Sequence, residues 1–436
     1  MSVGIGIFGI FFAIVFITVL AYKGFSTIWV APIAAAIVAI LGGLNLLEMY
    51  KVTFMEGFAG FVQSWFPAFM LGAIFGKLME CTNMAKSVAL GISRLFGPKR
   101  AIVAAVVAGS ILTYGGVSMF VAVFGLYPIC LVLFRQADIP RRLIPATITV
   151  GVFEYTMVCL PGSPQIQNLI PCEYFGTTPM AAPVLGLVCG VIMGGGGLLY
   201  VMWRAKKLKE AGEHFTEPEN TPEEDPNEKL PNVWLSLIPL VLVVVTLNVL
   251  KWDLIQSMLI ACVFIIVVNF WKFKPATIIT AINDGAKGAM MPIISVGSIN
   301  GFGAVVKAVP AFAALVEIVT NVPGSPLISL AVAANVLCGA TGSASGGLTI
   351  TLSTLAERYI MIAQQTGIPV EVMHRIVAIA AGMMDTVPHN GAILTLLAVC
   401  GMTHKDSYPD IAVCTIGMPM LSLIVGIILA SLGLQF

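Results

Sequence analysis

Charge is what this chain has least of. Asp, Glu, Lys and Arg make up 10% of its 436 residues, against roughly 25% in an average soluble domain. Hydrophobic residues make up 58%, and the mean hydropathy is +0.96. So few charges cannot cover the surface of a soluble globule, and the chain reads as an all-α polytopic membrane protein. A net charge of +1 leaves no basic surface for nucleic acid. The nine cysteines stand singly in apolar runs, with no C-x-x-C and apart from the four histidines. That argues against a metal centre or a disulfide framework. No cofactor motif is present. Residues 5–22 are apolar with no basic segment before them and no clear cleavage site after, so they read as a first membrane helix rather than a signal peptide.

The charges present are unevenly placed. Thirteen lie between Arg204 and Lys229, around Glu217-Pro-Glu-Asn-Thr-Pro-Glu-Glu-Asp-Pro226. Such a stretch buries too little apolar surface to fold. It divides the chain into residues 1–202, a polar linker at 203–231, and residues 232–436. Arg204, Lys206, Lys207 and Lys209 directly follow a span, which puts the linker in the cytoplasm. Spans of about 20 apolar residues are needed to cross a bilayer as helix. Candidates lie at 5–22, 28–47, 66–81, 182–203, 233–250, 254–271, 290–306 and 411–433.

The two parts repeat one another. Thr113-Tyr-Gly-Gly-Val-Ser118 in the first matches Thr341-Gly-Ser-Ala-Ser-Gly-Gly347 in the second. Ile139-Pro140 matches Ile368-Pro369, and Leu160-Pro-Gly-Ser-Pro-Gln165 matches Val387-Pro-His-Asn-Gly-Ala392. Each part therefore predicts a re-entrant hairpin followed by a broken helix. The hairpins cover 101–134 and 326–363, with tips at 113–118 and 341–347. The broken helices cover 142–171 and 370–402, interrupted at 161–164 and 385–390. Basic residues flank the first hairpin (Arg94, Lys99, Arg100, Arg135, Arg141, Arg142), whereas 319–327 and 363–370 hold no Lys or Arg. Opposite entry sides, and hence two inverted repeats, are the simplest cause. Non-helical backbone at membrane depth survives only where protein buries it or water reaches it. Tips and breaks are thus expected to enclose a central site.

The second tip offers the hydroxyls of Thr341, Ser343 and Ser345 beside Gly342 and Gly346, with a helix expected to start near Leu348. Free N–H groups and the positive end of the helix dipole would receive a carboxylate there. The same small residues could instead be a packing surface. The first tip offers Gly115, Gly116 and Ser118, beside a Tyr114 that could equally be an aromatic packing element. The second break carries Asp385, His389 and Asn390. An ionisable group at membrane depth is a functional candidate by default, and histidine titrates near physiological pH. Asp385 and His389 are therefore read as proton-coupling residues, and His389 and Asn390 as substrate contacts. A lone membrane histidine could also be a satisfied structural donor. The first break has uncharged Ser163 and Gln165, and Glu154 stands seven residues before Pro161 as a further candidate proton carrier, or as a water-facing end residue.

The second tip with the Ile-Thr-Leu-Ser that follows it, Gly367-Ile-Pro, and Asp385-Thr-Val-Pro-His-Asn-Gly-Ala-Ile resemble the gluconate permease family of the ion transporter superfamily. Pro-His-Asn-Gly-Ala with Cys400-Gly-Met-Thr-His404 is similar to its 3-hydroxybutyrate permease branch. It differs from the Ser-His-Val-Asn-Asp stretch expected of the gluconate branch. The resemblance implies proton-coupled uptake of small organic anions in a bacterial inner membrane, by an elevator-type transport domain and commonly in a homodimer. The expected function is symport of H⁺ with 3-hydroxybutyrate or a related hydroxy-monocarboxylate. The alternatives are gluconate or a citrate-like anion, Na⁺ as the coupling ion, and, more remotely, a channel or a membrane-embedded enzyme.

Overall fold

The computed structural model describes residues 3–97, 100–115, 117, 119–218, 230–250, 252–320 and 325–433, and among them it is helical with no strand. Among the described residues, six helices are long and apolar enough to cross a membrane: Val3–Tyr22, Leu46–Cys81, Met119–Ala137, Pro183–Glu210, Pro275–Ala308 and His404–Ser431. Shorter apolar helices include Thr27–Gly42, Ala101–Tyr114, Leu254–Asn269, Pro326–Thr341 and Gly391–Cys400. Local chemistry sets many of the ends. The side chains of Ser26, Asn45, Asn232 and Asp253 accept the first free N–H groups of their helices. Thr403 and Asp406 form a reciprocal capping box.

The elements come in the same order on both sides of the polar segment. Two helices precede a very long one, Leu46–Cys81 or Pro275–Ala308. A short helix follows, Met84–Phe96 or Pro310–Thr320, then a helical hairpin, an interrupted helix and a final long helix. Both final helices contain a π-helical segment, at Val191–Gly195 and Val413–Gly417. The two longest helices pack on each other and run well beyond the expected spans 66–81 and 290–306. Pro67 and Pro292 lie inside them without ending them, as membrane helices tolerate when neighbours satisfy the freed backbone groups. The Gly194–Gly197 run is a helix contact. A Cβ at Gly194, Gly196 or Gly197 would stand 2.7–2.9 Å from Tyr155, Met418 or Val150.

The hairpins pack into the interior with exchanged partners. The first, Ala101–Tyr114 with Met119–Ala137, packs on Ile144–Val152 and on Gly391–Cys400, the far arm of the second broken helix. The second, Pro326–Thr341 with Ala344–Thr366, packs on Val370–Met383 and on Ile166–Phe175, the far arm of the first. Their outer ends meet opposite ends of one helix, Pro183–Glu210. After the first hairpin, Asp138 bonds His214 (2.8 Å) and Arg135 bonds Glu217 (2.6 Å), just past Glu210. After the second, His374 bonds Thr177 (2.6 Å) and Arg375 bonds the Ala181 carbonyl (2.7 Å), just before Pro183. The helix between them is 28 residues long, or roughly 42 Å at 1.5 Å per residue.

Three expectations shift. The helix before the polar segment continues to Glu210, and Arg204 is drawn inward to the buried Asp410 (2.9 Å). Residues 211–218 lie against the end of the first hairpin, and 219–229 fall outside the described residues. The first broken helix is interrupted earlier than 161–164. It stops at Val152, resumes only for Tyr155–Val158, and starts again at Ile166.

Candidate functional site

The second tip is a two-residue turn rather than a seven-residue loop. Gly342 takes a left-handed conformation (φ +63°), which a residue with a Cβ adopts only at a cost. Ser343 is extended and caps the next helix, its Oγ accepting from Gly346 N–H (3.2 Å). That cap starts the helix at Ala344 instead of near Leu348, so Ser345 and Gly346 lie in its first turn. The Ser343 and Ser345 hydroxyls are 3.3 Å apart and partly open. Thr341 differs: its hydroxyl turns back to the Leu337 carbonyl (2.8 Å).

The second break lies against this tip. Asp385 Oδ1 accepts from the Ala344 N–H (2.9 Å) and from Asn390 Nδ2 (2.7 Å). Asn390 Nδ2 also donates to the Gly342 carbonyl (2.8 Å), and its Oδ1 accepts from Ala392 N–H (2.6 Å), capping the far arm. A carboxylate of the protein thus already occupies part of the helix end. His389 has no solvent exposure, and its ring edge lies beside Gly342. Neither ring nitrogen has a hydrogen-bond partner of good geometry, although the Gly339 carbonyl is near. From the outer side His404 Nε2 bonds the Pro388 carbonyl (2.7 Å) and Tyr408 bonds that of Thr386 (2.9 Å), fixing the break.

The first half is arranged differently. Gln165 Nε2 donates to the Thr113 carbonyl (2.7 Å), tying the first break to the first tip much as Asn390 ties the second. Tyr114 donates to the Pro161 carbonyl (2.9 Å). The Ser163 hydroxyl is committed to the Thr156 carbonyl (2.6 Å). Gly115 caps the first arm, while Gly116 and Ser118 lie outside the described residues. Glu154 stands at the interruption between Val152 and Tyr155. It is 1% exposed, both carboxylate oxygens lack partners, and it lies near enough to Asp385 for their charges to interact. The structure therefore gathers Gly342, Ser343, Ser345, Gly346, Asp385, His389 and Asn390, with Glu154 close by. It leaves Ser163, Gln165 and Gly115 at a separate tip.

Sequence reasoning passed over four residues. The Gln167 amide approaches the Asp385 carboxylate from the far arm of the first broken helix. Arg375 is fully buried, its guanidinium held by the carbonyls of Val158 (2.8 Å), Ala181 (2.7 Å) and Pro179 (3.3 Å) and by Asn168 Oδ1 (2.9 Å). No carboxylate lies within 4 Å of it among the described residues. His374 joins Asn168 (3.1 Å) to Thr177. Lys307 brings its Nζ to the second tip beside Gly346. The available signal was a charged or amide side chain standing inside or at the edge of an apolar stretch.

A sequence model described as GntP family permease matches residues 1–433. The chain belongs to the GntP permease family. Membership and its apolar helices make it a multi-pass membrane permease, a transporter rather than an enzyme. This GntP permease is 41% identical to the uncharacterized transporter YxjC of Bacillus subtilis, over 91% of this chain and 93% of that one. It is 23% identical to a gluconate permease of Zymomonas mobilis, over 72% and 74% of the two chains. Among solved structures it has a distant likeness to the YdaH transporter of Alcanivorax borkumensis, with a TM-score of 0.38 and 15% identity over 88% of each chain.

Proposed function

We propose that this GntP permease is a proton-coupled symporter of a small organic anion, with 3-hydroxybutyrate or a related short hydroxy-monocarboxylate as first candidate, in a bacterial inner membrane. The arrangement of Asp385 carries the reading. One buried carboxylate bridges the helix end of the second tip and the broken helix, beside an unpartnered His389. Protonating Asp385 weakens its hold on the Ala344 N–H and on Asn390. That leaves donors for an incoming carboxylate, so proton and anion favour each other. Glu154 is the second proton carrier in this scheme, and Gln167 helps orient Asp385. The resemblance of Pro388-His-Asn-Gly-Ala392 to the 3-hydroxybutyrate branch supports the substrate class, while the Zymomonas relative keeps gluconate as the alternative.

The architecture that accompanies this reading is two inverted repeats, 1–202 and 232–436, joined by a cytoplasmic linker. A transport domain of hairpins and broken helices moves against a scaffold, in a homodimer. The matched order of elements and the attachment of the hairpins to opposite ends of Pro183–Glu210 support it. The test is uptake of labelled 3-hydroxybutyrate and gluconate into proteoliposomes under an imposed pH gradient, with and without sodium. Accumulation driven by the pH gradient is expected. Uptake that follows sodium and ignores pH would remove proton coupling, and failure to accumulate against a gradient would favour a channel.

A further inference from the structure

We propose that Lys307 is the fixed cation of the substrate site, its ammonium meeting the carboxylate of the anion bound at the second tip; this rests on the substrate site proposed above. Lys307 lies in the last turn of Pro275–Ala308. Its Nζ is 3.4 Å from the point that a Cβ on Gly346 would occupy, and Ser343 Oγ is 3.4 Å from the same point. The ammonium and the hydroxyl thus converge on the first turn of Ala344–Thr366, at a position kept open by a glycine.

The helix end alone does not suffice there. Ala344 N–H is taken by Asp385, Gly346 N–H by Ser343 Oγ (3.2 Å) and Gly347 N–H by the Ser343 carbonyl (2.9 Å). Even when protonation of Asp385 releases the Ala344 N–H, the Gly346 and Gly347 N–H groups stay committed to Ser343, so an arriving carboxylate gains from a neighbouring positive charge. Lys307 supplies one, and no acidic side chain of the described residues lies within 4 Å of it to compete. On the other face of the turn, the ring nitrogens of the wholly buried His389 lack partners beside Gly342. A buried polar group left unpaired is costly, and a ligand at the tip would answer both it and Lys307. The shape implied is a carboxylate toward Lys307 and the Ser343 and Ser345 hydroxyls, with a hydrogen-bonding group toward His389. The Lys307 side chain is exposed, so its removal leaves no buried void.

The test measures binding to the purified full-length protein of 3-hydroxybutyrate, of gluconate, and of 1,3-butanediol, which carries an alcohol in place of the carboxylate. Lys307→Gln is expected to weaken binding of the carboxylates by about 10- to 150-fold, the loss of one charge-assisted hydrogen bond. It should leave the weak binding of the diol unchanged, and Lys307→Arg should largely restore the carboxylates. In the wild-type protein, saturating carboxylate should slow acetylation of Lys307 by a water-soluble amine reagent, read by mass spectrometry. That measurement needs no variant. Carboxylate binding of wild-type strength in Lys307→Gln, or acetylation indifferent to carboxylate, overturns the role of Lys307 while leaving the site standing. A wild-type protein that binds neither carboxylate overturns the site and this proposal together.

Discussion

At the scale of single residues, the proposed site separates groups that cap from groups left without a backbone partner. Asp385 and Asn390 are committed to the tip backbone, whereas Ser345, His389 and Lys307 are not. Asp385→Asn keeps a side chain of the same shape but cannot carry the proton. It is expected to abolish pH-driven accumulation in proteoliposomes while counterflow exchange of labelled for unlabelled substrate persists. Accumulation at the wild-type level would move the proton to Glu154. Ser345→Ala removes one hydroxyl donor to a charged ligand and should weaken binding about 10- to 150-fold, from roughly 1.5–3 kcal/mol. The protein should stay folded, because Ser343 and not Ser345 caps the helix. An unchanged affinity would place the anion elsewhere. Asp385, His389 and Asn390 were legible because polar groups in an apolar stretch stand out. Arg375 was not, since it lies near the start of its span and reads as an interfacial charge. Its role appears only with its carbonyl partners at 158, 179 and 181, about 200 residues away in sequence.

At the scale of elements, helix ends at Ala101–Tyr114, Met119–Ala137, Pro326–Thr341, Ala344–Thr366, Val370–Met383 and Gly391–Cys400 follow the glycine and proline punctuation of the sequence. The spans expected at 66–81 and 290–306 fall short of Leu46–Cys81 and Pro275–Ala308, which take up Pro67 and Pro292 without a break. What a proline does depends on whether neighbours satisfy the freed carbonyl, and a single sequence does not contain that neighbour. The early stop at Val152 comes directly after Gly151, a lone glycine with none of the proline or paired-glycine punctuation of the other breaks. The hairpins bear the topology. Outside the spans, the His214 hydrogen bond holds the Asp138 carboxyl down at about 2. A depressed carboxyl contributes fully above its ordinary value and loses its contribution only as pH falls through the lowered one. The contact between hairpin and polar segment therefore persists through mild acid. Single cysteines near residues 138 and 366, in a background lacking the nine native ones, are expected to label from the cytoplasm and from outside respectively. Labelling of both from one face would end the inverted-repeat reading.

At the scale of the whole molecule, the repeat was visible as matched motifs, but the interlocking was not. Each broken helix keeps one arm with its own hairpin and lends the other to its counterpart's. That exchange brings Gln167 and Glu154 toward a site built mainly in the second half. It also encloses Arg375 among carbonyls, with no carboxylate of the described residues within 4 Å, and this has an electrical consequence. One proton carried with one monovalent anion moves no net charge, so the membrane potential can do no work on such a cargo. It can still act on charge fixed to the protein, at about 2.3 kcal/mol per elementary charge moved through 100 mV. If the broken helices travel during turnover, Arg375 travels with them. In a one-to-one proton symporter, an inside-negative potential would then pull Arg375 toward the cytoplasm while an ionised Asp385 in the empty carrier opposed it, so the voltage dependence of the return step would read the net charge left on the moving unit.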